Sequence, residues 1–301
     1  MTGMCAGRVV IVTGSGRGIG RGHAMEFARH GAKVVVNDLG AELDGTGSST
    51  GPAGEVVEAI RAAGGDAIAN GDDVSDFEAA RHLVGSAVDA FGRLDVVVNN
   101  AGVVRDRMLV SMTEAEWDAV INVHLKGTFA LMHHAAVHWR ERAKAGETNE
   151  ARVINTSSGA GLFGSVGQGN YSAAKAGIAA LTTVAAAELG RYGVTCNAIA
   201  PIARTRMTEG PFAETMKAPV EGFDAMAPEN VAPLVVWLGS AESREVTGRV
   251  FEVDGGKISV ATAWQHGPEV DRGERWEPAD IGATVRDLLA KATPNVAVYG
   301  A

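Results

Sequence analysis

Short apolar runs rich in valine, isoleucine and alanine recur along the first 256 residues, and each is followed by a polar or glycine-rich turn. Apolar runs of this length, bounded by turn residues, predict strands that are buried on both faces. Seven strands are predicted, at residues 8–13, 33–38, 66–70, 94–99, 152–156, 194–200 and 249–253. Segments with the apolar period of helices lie between them. This alternation predicts one doubly wound parallel sheet with helices on both faces.

Composition and charge narrow the class of protein. Hydrophobic residues make up 46% of the 301 residues, and the net charge is −9 with no long basic run, so nucleic acid is not an expected partner. Two cysteines, Cys5 and Cys196, exclude a disulfide framework and a metal site built from several cysteines. No apolar run approaches the roughly 20 residues of a membrane span, and the chain enters its first strand directly. We therefore expect a cytoplasmic protein with no membrane or metal partner.

A glycine-rich turn separates the first predicted strand from the first helix. Its sequence is Gly14-Ser15-Gly16-Arg17-Gly18-Ile19-Gly20. Glycines let the backbone approach a pyrophosphate closely, and the free N–H groups at the start of the helix bind its negative charge. The turn therefore predicts a dinucleotide site that uses Gly14, Arg17, Gly18, Ile19 and Gly20.

Asp38 ends the second predicted strand, 18 residues beyond Gly20. This is close to the spacing of a carboxylate that binds the adenosine ribose of a dinucleotide. Such a carboxylate accepts hydrogen bonds from the 2′-hydroxyl and repels a 2′-phosphate, so we expect NAD rather than NADP. Arg17 is a weaker argument for NADP, and the alternative for Asp38 is an ordinary turn residue.

Two further strand ends carry residues suited to a ligand site. Asp73-Val74 follows the third predicted strand, and Asn100-Ala101-Gly102 follows the fourth. Open parallel sheets bind ligands at the carboxyl ends of their strands, so we expect both segments to contact the cofactor. Asn and Gly are also common turn formers, which is the alternative explanation.

The sequence also predicts how the chain is divided. We place a dinucleotide-binding catalytic domain at residues 1–256, with a C-terminal extension at 257–301 packed on the same domain. Residues 201–226 contain few periodic apolar positions and follow a strand end, so we expect them to form a mobile lid over a substrate pocket. Residues 39–54 are rich in glycine and serine and are expected to form a surface loop.

Tyr171 and Lys175 lie one turn apart on a predicted helix that begins near Asn170 and follows a strand ending in Ser157-Ser158. The spacing lets both side chains reach one point. The free pKa of a tyrosine is about 10, and a neighbouring ammonium would lower it towards the working range of an acid or base. A serine hydroxyl beside them could bind a substrate oxygen. Alone, such a pair is more often a half-buried tyrosine with a lysine packed beside it.

Together these segments resemble the short-chain dehydrogenase/reductase family over about residues 7–256. The matching pieces are Thr13-Gly14 with Gly18-Ile19-Gly20, Asp73-Val74, Asn99-Asn100-Ala101-Gly102, Ser158, and Tyr171 with Lys175. The resemblance implies a Rossmann-type domain and an NAD-dependent oxidoreductase. It also implies that Tyr171 is the acid/base, that Lys175 lowers its pKa and binds the nicotinamide ribose, and that Ser158 orients the substrate oxygen.

Two positions depart from the family pattern. His124 stands where the family usually has an asparagine that anchors a water chain to the lysine, so His124 is either a proton relay or a buried helix histidine. Ile202 and Ala203 follow Pro201 where a glycine is usual. The resemblance implies nicotinamide contacts at Ala203 and Thr205.

These departures are usual in one subgroup, the (3R)-hydroxyacyl-CoA dehydrogenase domain of peroxisomal multifunctional enzyme type 2, also called 17β-hydroxysteroid dehydrogenase type 4. The resemblance implies an acyl-CoA or steroid-like substrate and a stand-alone form of that domain. The alternatives are a steroid or other secondary-alcohol dehydrogenase, a 3-oxoacyl-carrier-protein reductase, and a cofactor-binding scaffold without catalysis. We expect a homodimer or homotetramer, associated through the helices that begin near Thr113 and Asn170.

Overall fold

One continuous sheet runs through the structure, a computed structural model that describes residues 3–41, 51–209, 216–262 and 264–300. Its strands are β1 (Val9–Thr13), β2 (Lys33–Asn37), β3 (Asp66–Asn70), β4 (Val96–Asn99), β5 (Ala151–Thr156), β6 (Val194–Ile202), β7 (Val250–Asp254) and β8 (Lys257–Val260). The order across the sheet is β3-β2-β1-β4-β5-β6-β7-β8. All neighbours are parallel except β7 and β8. The predicted doubly wound parallel sheet is confirmed, and β8 is an antiparallel addition that was not predicted.

Helices cover both faces of this sheet. They are α1 (Gly18–Arg29), α2 (Gly51–Ala62), α3 (Phe77–Phe91), α4 (Glu114–Ile121), α5 (Gly127–Lys144), α6 (Gly159–Phe163), α7 (Gly169–Leu189), α8 (Arg206–Glu209), α9 (Ala232–Leu238) and α10 (Pro278–Lys291). Single turns of 3-10 helix lie at residues 109–111, 190–192 and 228–231, and a π-helical turn joins α4 to α5.

Successive residues of β1 point to opposite faces of the sheet and enter two separate cores. Val10 and Val12 pack in a cluster with Phe27 of α1, which α2 and α9 complete. Ile11 packs on the other face in a cluster with Trp139 of α5, which α3 and α7 complete. Because both faces are covered, the middle positions of β1, β2 and β4 are apolar without alternation, and this explains the continuous runs seen in the sequence.

The order of the strands also determines where a ligand can bind. β2 and β3 lie on one side of β1, whereas β4, β5 and β6 lie on the other side. The chain therefore reverses its direction across the sheet between β1 and β4. In open sheets of this kind, a crevice opens at such a reversal, beyond the carboxyl ends of the strands.

Two helix boundaries can be compared with what the sequence suggests. Ser75 precedes the helical pattern that reaches Phe91, and the sequence predicts it as the N-cap of that helix. This prediction is wrong: Asp76 caps α3, because its Oδ1 accepts a hydrogen bond of 2.7 Å from the backbone N–H of Ala79. The sequence also predicts a long helix from about Thr113 to Lys144, with a break near Gly127. The helix begins at a Thr113–Glu116 capping box and ends at Lys144, as predicted. The break is the π-helical turn Asn122–Lys126, directly before Gly127.

Parts of two predicted segments lie outside the described residues. These are residues 42–50 of the predicted surface loop and residues 210–215 of the predicted lid. Within the described ranges, no helix combines the length and the apolar composition needed to cross a membrane. The same ranges contain no group of three or more His, Cys, Asp or Glu side chains that could hold a metal ion.

Candidate active site

A cavity of about 820 Å³ lies at the carboxyl ends of the strands, where the chain reverses across the sheet. Every residue suggested above for catalysis or cofactor binding lines this cavity. These residues come from the glycine turn, from the ends of β2 to β6 and from α7. The fold therefore brings segments that are distant in the sequence together around one cavity.

The glycine turn fits closely against its surroundings, and this explains two of its glycines. Gly14 has φ +61°, and a Cβ on it would lie 2.7 Å from Ala101 Cα. A Cβ on Gly20 would lie 2.2 Å from the carbonyl oxygen of Gly14. The start of α1 has no side-chain cap. Its first N–H groups therefore remain available for a bound anion, and the cradle fits the pyrophosphate of a dinucleotide.

Asn100 and Thr13 hold the glycine turn in place from the side of β4. Asn100 Nδ2 donates hydrogen bonds to the carbonyls of Thr13 (3.0 Å) and Gly14 (3.1 Å). In the other direction, Thr13 Oγ1 accepts from the backbone N–H groups of Asn100 and Ala101, at 3.0 Å each. These four hydrogen bonds join the two segments into one rigid wall of the cavity.

Asp38 is held in place by the backbone. Its Oδ2 accepts from the N–H of Gly16 and its Oδ1 accepts from the N–H of Gly40, both at 2.7 Å. Gly16 can approach this closely only because it has no side chain, since a Cβ there would lie 2.8 Å from Oδ2. The carboxylate is therefore fixed at the mouth of the turn, where a ribose attached to the bound pyrophosphate would lie. Arg17 lies next to it and is exposed.

Asp73 and Val74 form the wall at the end of β3. Asp73 Oδ1 accepts from the N–H and the Oγ of Ser75, at 2.8 Å each. Ser75 thus forms part of the turn after β3, and the next residue, Asp76, caps α3. Val74 is buried beside Gly127, whose missing side chain allows α5 to approach.

Ser158, Tyr171 and Lys175 meet at the centre of the cavity. Ser158 hydrogen-bonds to the Tyr171 hydroxyl, and its Oγ also accepts from the N–H of Ala160 at the start of α6. The ammonium of Lys175 is buried, 5.5 Å from the centre of the Tyr171 ring, and donates to the carbonyl of Thr156 at 2.7 Å. The neighbouring Ser157 is turned away, since its hydroxyl donates to the Lys175 carbonyl at 2.8 Å.

Burial shifts the pKa values of both titratable groups in this cluster. It raises the pKa of Tyr171 above its usual value, and the hydrogen bond from Ser158 opposes this. It also lowers the pKa of Lys175 to about 7. The expectation that Lys175 lowers the pKa of Tyr171 stays a prediction.

His124 lies on the π-helical turn and is buried. Its Nε2 is 2.8 Å from the carbonyl oxygen and 3.1 Å from the nitrogen of Val103, while its Nδ1 has no hydrogen-bond partner. Burial and the nearby Lys175 lower the pKa of His124 well below its usual value, so the ring is neutral. The ring stands edge-on to Tyr171, with 5.2 Å between centroids. Both readings, relay and buried histidine, remain predictions.

The glycine of the Asn100-Ala101-Gly102 segment is explained by His124. A Cβ on Gly102 would lie 2.3 Å from Cε1 of the histidine ring. The two residues are 22 positions apart in the sequence. The His124 ring can occupy its position only because residue 102 has no side chain. A side chain at position 102 would displace the ring from Tyr171.

The segment after β6 closes the nicotinamide side of the cavity. Thr208 Oγ1 donates to the Ala203 carbonyl at 2.9 Å and accepts from the Thr205 N–H at 2.8 Å. The Thr205 methyl group faces the glycine turn, because a Cβ on Gly18 would lie 3.7 Å from it. The unusual residues after Pro201 therefore still place Ala203 and Thr205 beside the expected cofactor position.

Sequence reasoning missed the part of the cavity wall that Tyr299 and Gly300 supply. These residues are more than 120 positions from Tyr171, and no motif or periodicity links them to the site. The structure brings them there through a bridge between Ser165 and Tyr299. Only the path of the chain after β8 shows this relation.

The sheet, the glycine turn and the Ser158–Tyr171–Lys175 cluster define an oxidoreductase of the dinucleotide-binding α/β class. Comparison with known proteins agrees with this assignment. Residues 8–215 match the family described as short chain dehydrogenase. The chain belongs to the short-chain dehydrogenase family, as the motifs predicted, and members of this family use NAD or NADP.

Several characterised proteins are similar over most of the chain. Hydroxyacyl-CoA dehydrogenase ChsB1 of Mycobacterium tuberculosis is 45% identical, over 96% of this chain and 91% of that protein. Peroxisomal multifunctional enzyme type 2 of Mus musculus is 43% identical over 96% of this chain, which spans 35% of the mouse enzyme. A crystal structure of a short chain dehydrogenase from Mycobacterium avium is 63% identical, with a TM-score of 0.90 over 99% of this chain and 100% of that one.

Proposed function

We propose that this enzyme oxidises a (3R)-3-hydroxyacyl-CoA to the 3-oxoacyl-CoA with NAD, in the breakdown of a fatty acid or a steroid side chain. One observation supports the proposal above all. The Ser158–Tyr171–Lys175 cluster faces a cavity of about 820 Å³, in a chain that resembles a hydroxyacyl-CoA dehydrogenase over nearly its whole length. The multifunctional enzyme of mouse, which matches over the same residues, supports the same substrate class.

The proposed chemistry follows from the positions of the three side chains. A bound nicotinamide ring would supply the acceptor for the hydride that leaves the carbon carrying the substrate hydroxyl. Tyr171 takes the hydroxyl proton on its phenolate oxygen. Ser158 donates a hydrogen bond to the carbonyl oxygen that forms, since its hydroxyl already contacts that of Tyr171. Lys175 would hold the nicotinamide ribose, and hydrogen bonds to that polar group would favour the charged form of the buried amine.

The preference for NAD rests on Asp38. Both of its oxygens are fixed by backbone N–H groups at 2.7 Å, so the carboxylate cannot easily turn away from a 2′-phosphate. Repulsion between the two negative groups would weaken NADP binding. The exposed Arg17 could partly compensate this repulsion, and NAD is favoured because Arg17 is not fixed in the same way.

The substrate end of the cavity has the character that an acyl thioester requires. Met207 and Met216 supply flexible apolar surface, while Arg206 is exposed near them. An apolar wall suits the acyl chain, and a cation at the rim suits the phosphates of coenzyme A. This arrangement also accepts a steroid side chain as the acyl group.

NADH formation, followed by absorbance, tests the proposal directly. The enzyme receives a (3R)-3-hydroxyacyl-CoA or a free steroid alcohol, each with NAD and with NADP. We expect turnover with the thioester and NAD. Turnover with a ring alcohol alone would keep the oxidoreductase and exclude the CoA thioester as substrate. A protein that binds NAD and oxidises neither class would instead support the scaffold alternative.

We also propose that the enzyme is a homodimer or homotetramer. Phe129 of α5 is 44% exposed and Val184 of α7 is 51% exposed. Apolar side chains on two adjacent long helices suit a symmetric helix-to-helix interface. Light scattering tests this proposal, and a monomer at micromolar concentration would exclude it.

A further inference from the structure

The segment 298–300 returns to the substrate side of the cavity and pairs with the loop after α6. The N–H of Val166 donates to the Tyr299 carbonyl at 2.9 Å, and the N–H of Tyr299 donates to the Gly164 carbonyl at 3.2 Å. Gly164 has φ +84°, a conformation that favours glycine, and the Val298 side chain packs against it. The backbone pairing therefore fixes where the Tyr299 side chain enters the cavity.

The ring of Tyr299 lies directly on Gly159, the residue after Ser158. A Cβ on Gly159 would lie 2.8 Å from Tyr299 Oη and 2.9 Å from Cε2. Phe163 meets the other side of the ring edge-on, with 6.2 Å between centroids. Tyr299 is 47% exposed and lines the same cavity as Met207 and Met216. Burial raises the pKa of Tyr299, so the phenol stays neutral.

We propose that Tyr299 is a specificity-determining residue, whose ring contacts the acyl group of the substrate beyond its reacting carbon. This inference rests on the proposed hydroxyacyl-CoA activity. A neutral aromatic ring beside Ser158 adds apolar surface where the acyl chain leaves the catalytic cluster. The residue thus favours long or bulky acyl groups over short ones and takes no part in proton transfer.

The close contact between Gly159 and Tyr299 also provides a second way to test this inference. An alanine at position 159 would push the ring of Tyr299 aside, because its Cβ would overlap with the ring. The atoms displaced belong to the far end of a side chain, so the substitution should be tolerated by the fold. Gly159→Ala therefore provides a second variant that moves the Tyr299 ring without replacing it.

The test compares long-chain and butyryl-length (3R)-3-hydroxyacyl-CoA substrates at saturating NAD. We expect Tyr299→Ala to raise KM for the long-chain substrate about five- to twentyfold, from lost aromatic contact, and to affect the short substrate much less. Tyr299→Phe should retain the wild-type preference, because the ring remains. Gly159→Ala should resemble Tyr299→Ala, and the double variant should be no worse than the worse single variant. Trp264→Ala is the control, since this residue of the same extension is 98% exposed.

An unchanged ratio of long to short substrate in Tyr299→Ala would overturn the inference. If the wild type oxidises ring alcohols but no thioester, the proposed function fails. The same variants then test Tyr299 through the ratio of a bulky to a small alcohol. Hydrogen exchange gives a readout that needs no turnover. We expect slow exchange of the Val166 amide in the wild type, and rapid exchange there would contradict the docking on which the inference depends.

Discussion

The two halves of the cavity are built in different ways. On the cofactor side, backbone groups of the glycine turn are fixed by Thr13, Asp38 and Asn100, with contacts of 2.7–3.1 Å. On the substrate side, the wall includes side chains of the segment after β6 and the side chain of Tyr299. NAD and NADP share the same pyrophosphate, so backbone geometry can bind this common part in every member of the family. Substrates differ, and side chains on connecting segments can change without disturbing the sheet.

The largest expected effect comes from Tyr171, where the two halves meet. Tyr171→Phe removes the proton acceptor, and we expect kcat for oxidation to fall about 10²- to 10⁴-fold. Binding of NAD, measured by titration calorimetry, should change little, because the glycine turn is untouched.

The pH profile gives a second readout for Tyr171. Burial raises its pKa, so oxidation by the wild type should become faster as the pH rises and more of the phenolate forms. The residual rate of Tyr171→Phe should lack this dependence. Retained wild-type activity in the variant would exclude Tyr171 as the base.

The hydrogen bonds that Thr13 accepts on the cofactor side can be removed by a substitution that nearly keeps the shape of its side chain. Thr13→Val removes the hydroxyl that accepts from the N–H groups of Asn100 and Ala101, so these two partly buried donors lose their acceptor. We expect the free energy of unfolding to fall by about 3 kcal/mol in urea denaturation. Thr13→Ser keeps the hydroxyl and is the matched control. An equal decrease in the free energy of unfolding in both variants would show that packing, and not these hydrogen bonds, stabilises this wall.

A buried histidine makes the cofactor side sensitive to acid. His23 of α1 is fully buried, both ring nitrogens lack a hydrogen-bond partner, and burial lowers its pKa to about 3. Between pH 6.5 and about 3 the unfolded chain binds a proton there and the folded chain does not. Stability is therefore lost as the pH falls through this range, by about 2 kcal/mol at pH 5.

Removing the titrating group should remove this part of the acid sensitivity. We expect His23→Leu to lose less stability than the wild type when urea denaturation is moved from pH 7.5 to pH 5. His266→Gln, at an exposed position, is the control. The same pH dependence in His23→Leu and wild type would show that other groups cause it.

The smallest effect concerns the choice between the two dinucleotides. Asp38→Asn removes the negative charge but keeps a hydrogen-bonding side chain. We expect the ratio of kcat/KM for NAD to that for NADP to fall about tenfold. Asp89→Asn removes the same charge at an exposed position of α3 and should leave the ratio unchanged. An unchanged ratio in Asp38→Asn would remove the argument for NAD.

The two halves also differ in how far the sequence predicts them. The glycine turn, Asp38 and the Tyr171–Lys175 pair could be predicted to line one site, because each is recognised from a short spacing along the sequence. Tyr299 was not found, since its position depends on the path of a long segment after β8. The cap of α3 was misplaced by one residue because Ser75 and Asp76 are both good caps, and only the turn around Asp73 decides between them.

The charge of Lys175 lay beyond sequence reasoning for a different reason. Its spacing from Tyr171 was correct, but its pKa depends on burial and on the Thr156 carbonyl, which belongs to another strand. Electrostatic properties of this kind arise only when the chain has folded.

The π-helical turn Asn122–Lys126 has a consequence for sequence change. A π turn holds one residue more than an α-helical turn, which shifts the phase of everything after it by about 100°. With the turn present, His124 faces Tyr171 while Trp139 faces the core. Deleting one residue within the turn would restore a regular helix and rotate one of these two faces away. The number of residues in the π-helical turn therefore cannot change without moving either His124 away from the cavity or Trp139 away from the core.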